Sequence, residues 1–309
     1  MKPTPPYSYQ VFGLTLGSEI EFPELIPSTT GRAPDVTVIR GRLPEKLDSF
    51  HLKGPLYQIN EERLLLNVPA AGRYCSLRDG SIIVDPNKDA DPRTVRMFVL
   101  GSMFGATLHR RGFFPLHASS IASHNGCVAF AGASGAGKST LTAALHQQGY
   151  NLVADDISAI KPGPDSTPIF VERAFPRLKL LESSIQALGS DPAEYKVLRP
   201  GMNKFNYPIT EGFSSERKQL RHIVILQPHN QPRFELEELK GAQRFSILQR
   251  NIYRGKFAEG FGRRKDLFQF SARIANQIPF YVLRRPMEGF FMDEMLAVLE
   301  PLLGAPPRG

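Results

Sequence analysis

The sequence predicts an α/β protein: a phosphate-loop core with a β-rich region ahead of it. Three observations carry that expectation. Short β-forming runs separated by Pro, Gly and Asp fill the first 90 residues. The apolar period becomes helical after Asp91-Pro92. Finally, a glycine-rich stretch from Gly132 to Thr140 lies between a short apolar run and an amphipathic one. The change of period divides the chain into a β-rich N-terminal domain, 1–90, and a loop-bearing domain, 91–309.

In the first region, Tyr9 to Leu16 mixes β-formers around a central Gly, and Pro34 to Arg40 alternates with period two. Arg63 to Val68 and Gly80 to Asp85 are further strands, and no helix is expected before residue 90. Asp91 then caps a helix with Pro92 as its first residue. Val95, Phe98, Val99, Met103, Ala106 and Leu108 give that helix a buried face, and Gly112 ends it.

From 113 to 160, strand, loop and helix alternate. Phe113 to Ala118 and Ser120 to Ala122 read as strands, and His124-Asn125-Gly126 as a hairpin turn. Cys127 to Ala131 is a buried strand that runs straight into the glycine loop. Ser139 to Gln148 is a helix stopped by Gly149, and Leu152 to Ala154 is a buried strand ending in Asp155-Asp156. Farther on, Lys161 to Ser166 reads as a loop, and Arg177 to Leu181 leads into a short helix. Tyr195 to Glu211 has no period and reads as a long loop. Arg221 to Leu226 and Phe280 to Arg284 are late strands. Helical patterns occupy about 240–255, 264–277 and Met287 to Leu303, with a frayed tail from Ala305.

The composition excludes several functional classes. The formal charge of +8 is a mild bias toward acidic ligands, such as nucleotides or an acidic peptide. It is too dispersed for nucleic acid. The basic groups Arg263-Arg264-Lys265 and Arg284-Arg285 are short and read as solvated surface. Cys75 and Cys127 have no metal-ligand spacing and read as small buried side chains. The N-terminus lacks the apolar segment of a signal peptide, and Met97 to Leu108 is too short to span a membrane. A cytoplasmic protein with no membrane partner is expected.

The loop matches G-x-x-x-x-G-K-[ST] with Gly132, Gly137, Lys138 and Ser139. Its glycines let successive backbone N–H groups converge on phosphate oxygens, and the helix after the loop adds its positive end. Gly132, Ser134, Gly135, Ala136, Gly137, Lys138, Ser139 and Thr140 are therefore the expected nucleotide-binding residues. Lys138 reaches the β- and γ-phosphates of ATP, and Ser139 can ligate Mg²⁺. The strand that starts 14 residues after Lys138 brings Asp155-Asp156 to its C-terminal end, where ligands of α/β sheets bind. One carboxylate can serve Mg²⁺. The other can position water or accept a hydroxyl proton, because neighbours on a strand face opposite sides. His117 precedes a strand that pairs by hairpin with the loop's strand, which brings it toward the phosphates. Arg173, Arg177 and Lys179 are the nearest downstream cations.

Taken together, His117, the loop and Asp155-Asp156 resemble the HPr kinase/phosphorylase family. There a His precedes the loop by 15 residues and an Asp-Asp pair follows its first Gly by 23, as here. The resemblance implies a core similar to phosphoenolpyruvate carboxykinase. It implies Asp155 as general base on a substrate serine, Asp156 and Ser139 for the metal, and His117 lining the site. The family's Glu-x-Arg-Gly-x-Gly signature is absent; Glu172-Arg173 and Pro176 to Leu180 stand in that region, so phosphorolysis stays open. Tyr9 to Leu16, Phe22 to Leu25 and Pro176 to Leu180 are similar to the HPr kinase-related proteins of peptide-modification clusters, including lasso-peptide precursor kinases.

The expectation is an ATP-dependent serine kinase acting on a peptide or small protein, with the C-terminal serine of a lasso-peptide precursor as one acceptor. A true HPr kinase/phosphorylase, an ATPase switch and a degenerate binding module stand as alternatives. Related kinases often assemble, so a homo-oligomer is left open.

Overall fold

The longest strand, Lys218–His229, organises the sheet that carries the glycine loop, and its mostly buried run Leu220–Leu226 is the reason. The computed structural model describes residues 5–161, 163–164, 167–287 and 291–306. Contacts divide them into two compact units. The first covers the described residues up to Phe113, with Leu198–Met202 and Arg254–Leu267. The second covers Phe114–Val197, Asn203–Tyr253 and the described residues from Phe268 onward.

The first unit holds β1 (Tyr7–Val11), β2 (Leu14–Ser18), β3 (Ile26–Pro27), β4 (Val36–Arg40), β5 (Leu52–Lys53), β6 (Tyr57–Ile59), β7 (Arg63–Val68), β8 (Gly72–Leu77) and β9 (Ser81–Pro86). They form one sheet in the order β3-β1-β2-β4-β9-β8-β7-β6-β5. Tyr9 to Leu16, which reads as one run, is a hairpin. Phe12 and Gly13 both take positive φ, 53° and 70°, and Val11 pairs with Leu14 across them. Such a turn matches the twist of the strands it joins. Asp91 caps α1 (Pro92–Phe98) by accepting from the N–H groups of Arg93 and Thr94. The helix continues through a π-helical segment, Val99–Met103, into α2 (Phe104–Arg110).

The second unit holds β10 (Phe114–Leu116), β11 (Ala118–Ser123), β12 (Gly126–Ala131), α3 (Lys138–Gln147), β13 (Leu152–Ala154), β14 (Ser158–Lys161) and β15 (Phe170–Glu172). Next come β16 (Arg177–Leu180), α4 (Glu182–Ala187), β17 (Lys196–Val197), β18 (Phe205–Pro208), β19 (Lys218–His229), β20 (Glu235–Leu239) and α5 (Ala242–Arg250). α6 (Gly255–Gly260) belongs to the first unit, and α7 (Arg264–Gln277) contributes to both. β21 (Phe280–Pro286) and α8 (Met292–Leu303) close the chain.

The site-bearing layer runs β13-β11-β12-β19-β21-β20. Ser123 pairs with Gly126, so the expected hairpin joins β11 to β12. β12 and β19 are parallel, as are β19 and β21. Val128 and Phe130 of β12, Val224 and Leu226 of β19, Leu283 of β21, Leu141 and Leu145 of α3 and Leu299 of α8 share one buried cluster. This pins α3 against the strand that feeds the loop.

Tyr195 to Glu211 departs from the expected loop. β17 and β18 lie within it, and β18 pairs with β16, Leu180 opposite Phe205. Strands of two and four residues are too short to show a period. The expected loop from Lys161 includes Pro162, Asp165 and Ser166, and the expected last helix and tail include 288–290 and 307–309; these lie outside the described residues. The last helix starts at Met292. Both cysteines are buried, as expected. No helix of the described residues is long and apolar enough to cross a membrane.

Phe130 is fully buried in this cluster. Phe130→Ala should cost about 3–5 kcal/mol, measured as a lower urea midpoint; an unchanged midpoint would show that the cluster does not hold the loop's strand.

Candidate functional site

The glycine loop leaves β12 at Ala131 and enters α3 at Lys138. Gly132 has φ +141°, and a Cβ there would lie 2.7 Å from the carbonyl oxygen of Leu226. Only glycine lets the chain turn this close to β19. Its N–H donates to Asn251 Oδ1 at 3.1 Å, which fixes the loop's first residue. Gly137, at φ +95°, precedes α3, and no side chain caps the helix. The first-turn N–H groups of α3 are thus left for an anion.

Lys138 folds back over the loop. Its Nζ donates to the carbonyls of Gly132 at 2.8 Å and Ala133 at 3.0 Å. Burial lowers its pKa, and the carboxylates of Asp156 and Asp155 oppose that shift. A phosphate would offer this ammonium stronger acceptors than neutral carbonyls. Ser134, Gly135, Gly137, Lys138, Ser139 and Thr140 line a cavity of about 710 Å³. Ala136 is buried. Thr140 Oγ1 pairs with Ser184 Oγ at 2.8 Å, so its hydroxyl faces α4.

The two carboxylates have separate partners. Asp155 Oδ1 accepts from Ser119 Oγ at 2.6 Å and Ser139 Oγ at 2.9 Å, and Oδ2 from the N–H of Lys179 at 2.9 Å. Asp156 Oδ2 instead pairs with Lys179 Nζ at 2.6 Å, and its Oδ1 lies 3.5 Å from His117 Nδ1. The backbone makes this division, not the pleat expected from the sequence. β13 ends at Ala154, and Asp156 takes φ +69°, a left-handed conformation that Asp tolerates better than most residues. The turn lets the carbonyl of Asp156 meet His117 Nδ1 at 3.0 Å. A carbonyl can only accept, so Nδ1 carries the proton. Burial alone would raise the pKa of Asp156; Lys179, His117 and Lys204 hold its carboxyl well below the usual range. Asp155 is 6% exposed and Asp156 24%. Both carboxylates line the cavity, the second the more exposed of the two.

Ser139 thus sits with Asp155, whereas the resemblance grouped it with Asp156. The cavity also brings in residues the sequence did not single out: Ser119, Lys204 and Arg285. Arg285 reads as surface from its sequence neighbours, yet it is half-buried, and its Nε donates to the carbonyl of Ala136 at 3.1 Å. The parallel pairing of β19 with β21 delivers it. Of the three cations flagged downstream, Lys179 lines the cavity; Arg177 is buried beside the ring of Phe175, and Arg173 is not among the lining residues. Among the described residues no group of three or more His, Cys, Asp or Glu side chains could hold a metal. Ser139 and Asp155 offer one hydroxyl and one carboxylate 2.9 Å apart. That donor set suits Mg²⁺, which keeps waters and takes its other oxygens from phosphates.

No family model matches the chain, and no curated protein matches it. Among solved structures it is similar to the Hpr(Ser) kinase/phosphatase from Coxiella burnetii, at 13% identity and a TM-score of 0.31. The match covers 61% of this chain and 96% of that one. A likeness this distant leaves the function to be argued from the geometry of the site.

Gly132→Ala should destabilise the protein by more than about 1 kcal/mol, because both its φ and its approach to Leu226 exclude a Cβ. Thermal unfolding measures this, and an unchanged midpoint would contradict the described loop path.

Proposed function

We propose that the chain is an ATP-dependent kinase that transfers the γ-phosphate to a serine of a peptide or small protein. The observation that carries this reading is the division of the carboxylate pair. One carboxylate belongs to the phosphate loop through Ser139. The other stands in the same cavity between a lysine and a histidine. A phosphate cradle needs only the first; an acceptor hydroxyl needs the second.

The loop-bearing unit is the catalytic one in this reading. The N–H groups of Gly135, Gly137, Lys138 and Ser139 and the ammonium of Lys138 bind and orient the triphosphate. Ser139 and Asp155 would hold Mg²⁺, which would supply charge neutralisation on the phosphates. Asp156 orients the acceptor hydroxyl and takes its proton, with the protonated Nδ1 of His117 facing its carboxylate. The hydroxyl oxygen bonds to the γ-phosphorus as the bond to the β,γ-bridging oxygen breaks, and ADP leaves. Lys179 neutralises charge beside the transferred group. Phosphoryl transfer passes through a loose transition state, so an oriented carboxylate serves even when its pKa is low.

This exchanges the roles that the family resemblance gives Asp155 and Asp156, on the ground that Ser139 contacts Asp155. The resemblance of Tyr9 to Leu16 and Pro176 to Leu180 to peptide-modifying kinases points to a precursor peptide's C-terminal serine as acceptor. The second of these segments carries Lys179 into the site.

With γ-labelled ATP and a serine acceptor, Asp156→Asn should lower transfer by about 10²–10⁴-fold and keep Mg-ATP binding by calorimetry. Asp155→Asn should weaken Mg-ATP binding itself. Normal transfer by Asp156→Asn would return the acceptor role to Asp155. Label released only as inorganic phosphate would favour an ATPase switch.

A further inference from the structure

The cavity has two chemically different sides, divided by β12. On the side of β11 and β13 stand His117, Asp155 and Asp156, with Lys179 from β16. On the side of β19 and β21 the lining is apolar: Leu226, Phe234, Pro286, Met287, Met292 and Met295. Register builds this second side. Leu226 of β19 pairs with Leu283 of β21, and Arg284 pairs with Glu235, which sets Phe234 beyond β20 at the level of Arg285. Met292 and Met295 come from the first turn of α8.

Arg285 stands at the boundary. Its Nε donates to Ala136 in the loop and its Nη1 to the carbonyl of Pro286, and a Cβ on Gly137 would lie 3.4 Å from its Nη2. The guanidinium therefore ties the apolar side to the phosphate loop.

We propose that this apolar side is the nucleobase site: the adenine ring of ATP packs among Phe234, Met287 and Met292 while its phosphates lie on the loop. The inference rests on the kinase reading of the loop. Three observations choose this occupant. The apolar side and the phosphate cradle share one cavity of about 710 Å³, far more than a triphosphate chain fills. The polar side already holds the charged groups that an acceptor and a γ-phosphate require. Among the described residues Met287 is 61% exposed, a large apolar side chain beside an anion cradle. Thioethers and a phenyl ring suit a flat, polarisable base.

The test compares Mg-ATP with inorganic tripolyphosphate, which lacks the base, by calorimetry on the full chain. Phe234→Ala and Met292→Ala should each weaken ATP, the first by roughly 5- to 100-fold, and leave tripolyphosphate within about two-fold. Retained tripolyphosphate binding shows that the loop is still folded. If Phe234→Ala loses both ligands, Met292→Ala decides, since it must lose ATP alone. Variants that bind ATP as the wild type does, or weaken both ligands equally, overturn the nucleobase site and leave the loop reading standing. A wild type that binds neither ligand overturns both.

Discussion

The Asp155 carboxylate is the interaction on which the site depends. Its three donors come from three elements: Ser119 from β11, Ser139 from α3 and the Lys179 N–H from β16. A buried carboxylate is costly unless its lone pairs are satisfied, and this one is. Meeting that demand fixes the start of α3 relative to the sheet, and with it the loop. It also fixes β16, whose Lys179 reaches back to Asp156. One buried anion thereby sets the positions of the glycine loop and of Lys179.

Asp156 has the complementary character. Its left-handed backbone is tolerated because the surroundings over-determine it. Its carbonyl meets His117, its carboxylate meets Lys179, and Ile157 donates to the carbonyl of Asp155 at 2.8 Å. Adjacent residues thus have different partners: Asp155 meets Ser119, Ser139 and the Lys179 N–H, and Asp156 meets the Lys179 ammonium beside His117. Asn251 adds a second brace: its side chain accepts from Gly132, and its carbonyl accepts from the N–H of His117 at 2.7 Å. The loop and the histidine are held by the same residue.

The parts legible in the sequence are those whose signal is local. The glycine loop, its flanking strand and helix, the hairpin at His124 to Gly126 and the Asp-Asp turn all lie within about 40 residues, and the structure brings His117 to the same cavity. Arg285, Ser119 and Lys204 carry no such signal. Arg285 sits beside Arg284, likewise half-buried, which pairs instead with Glu237 at 2.7 Å. The pleat alone turns one of the pair toward the loop, and sequence cannot show which until the β19–β21 register is known. β17 and β18 were illegible for another reason: β18 is held by pairing with β16 and β17 by pairing with β18, not by a pattern of their own. The division between Asp155 and Asp156 depends on one backbone conformation, which residue type permits but does not dictate.

In the proposed reaction the cavity joins a phosphate donor to a hydroxyl acceptor. Incubation of the full chain with γ-labelled ATP, Mg²⁺ and a pool of peptides bearing internal or C-terminal serines, followed by separation of peptide from free phosphate, tests that joining. Acid-stable, base-labile label on serine that requires Mg²⁺ is the expected result. Label found only in inorganic phosphate, at the same rate with and without peptides, would contradict it.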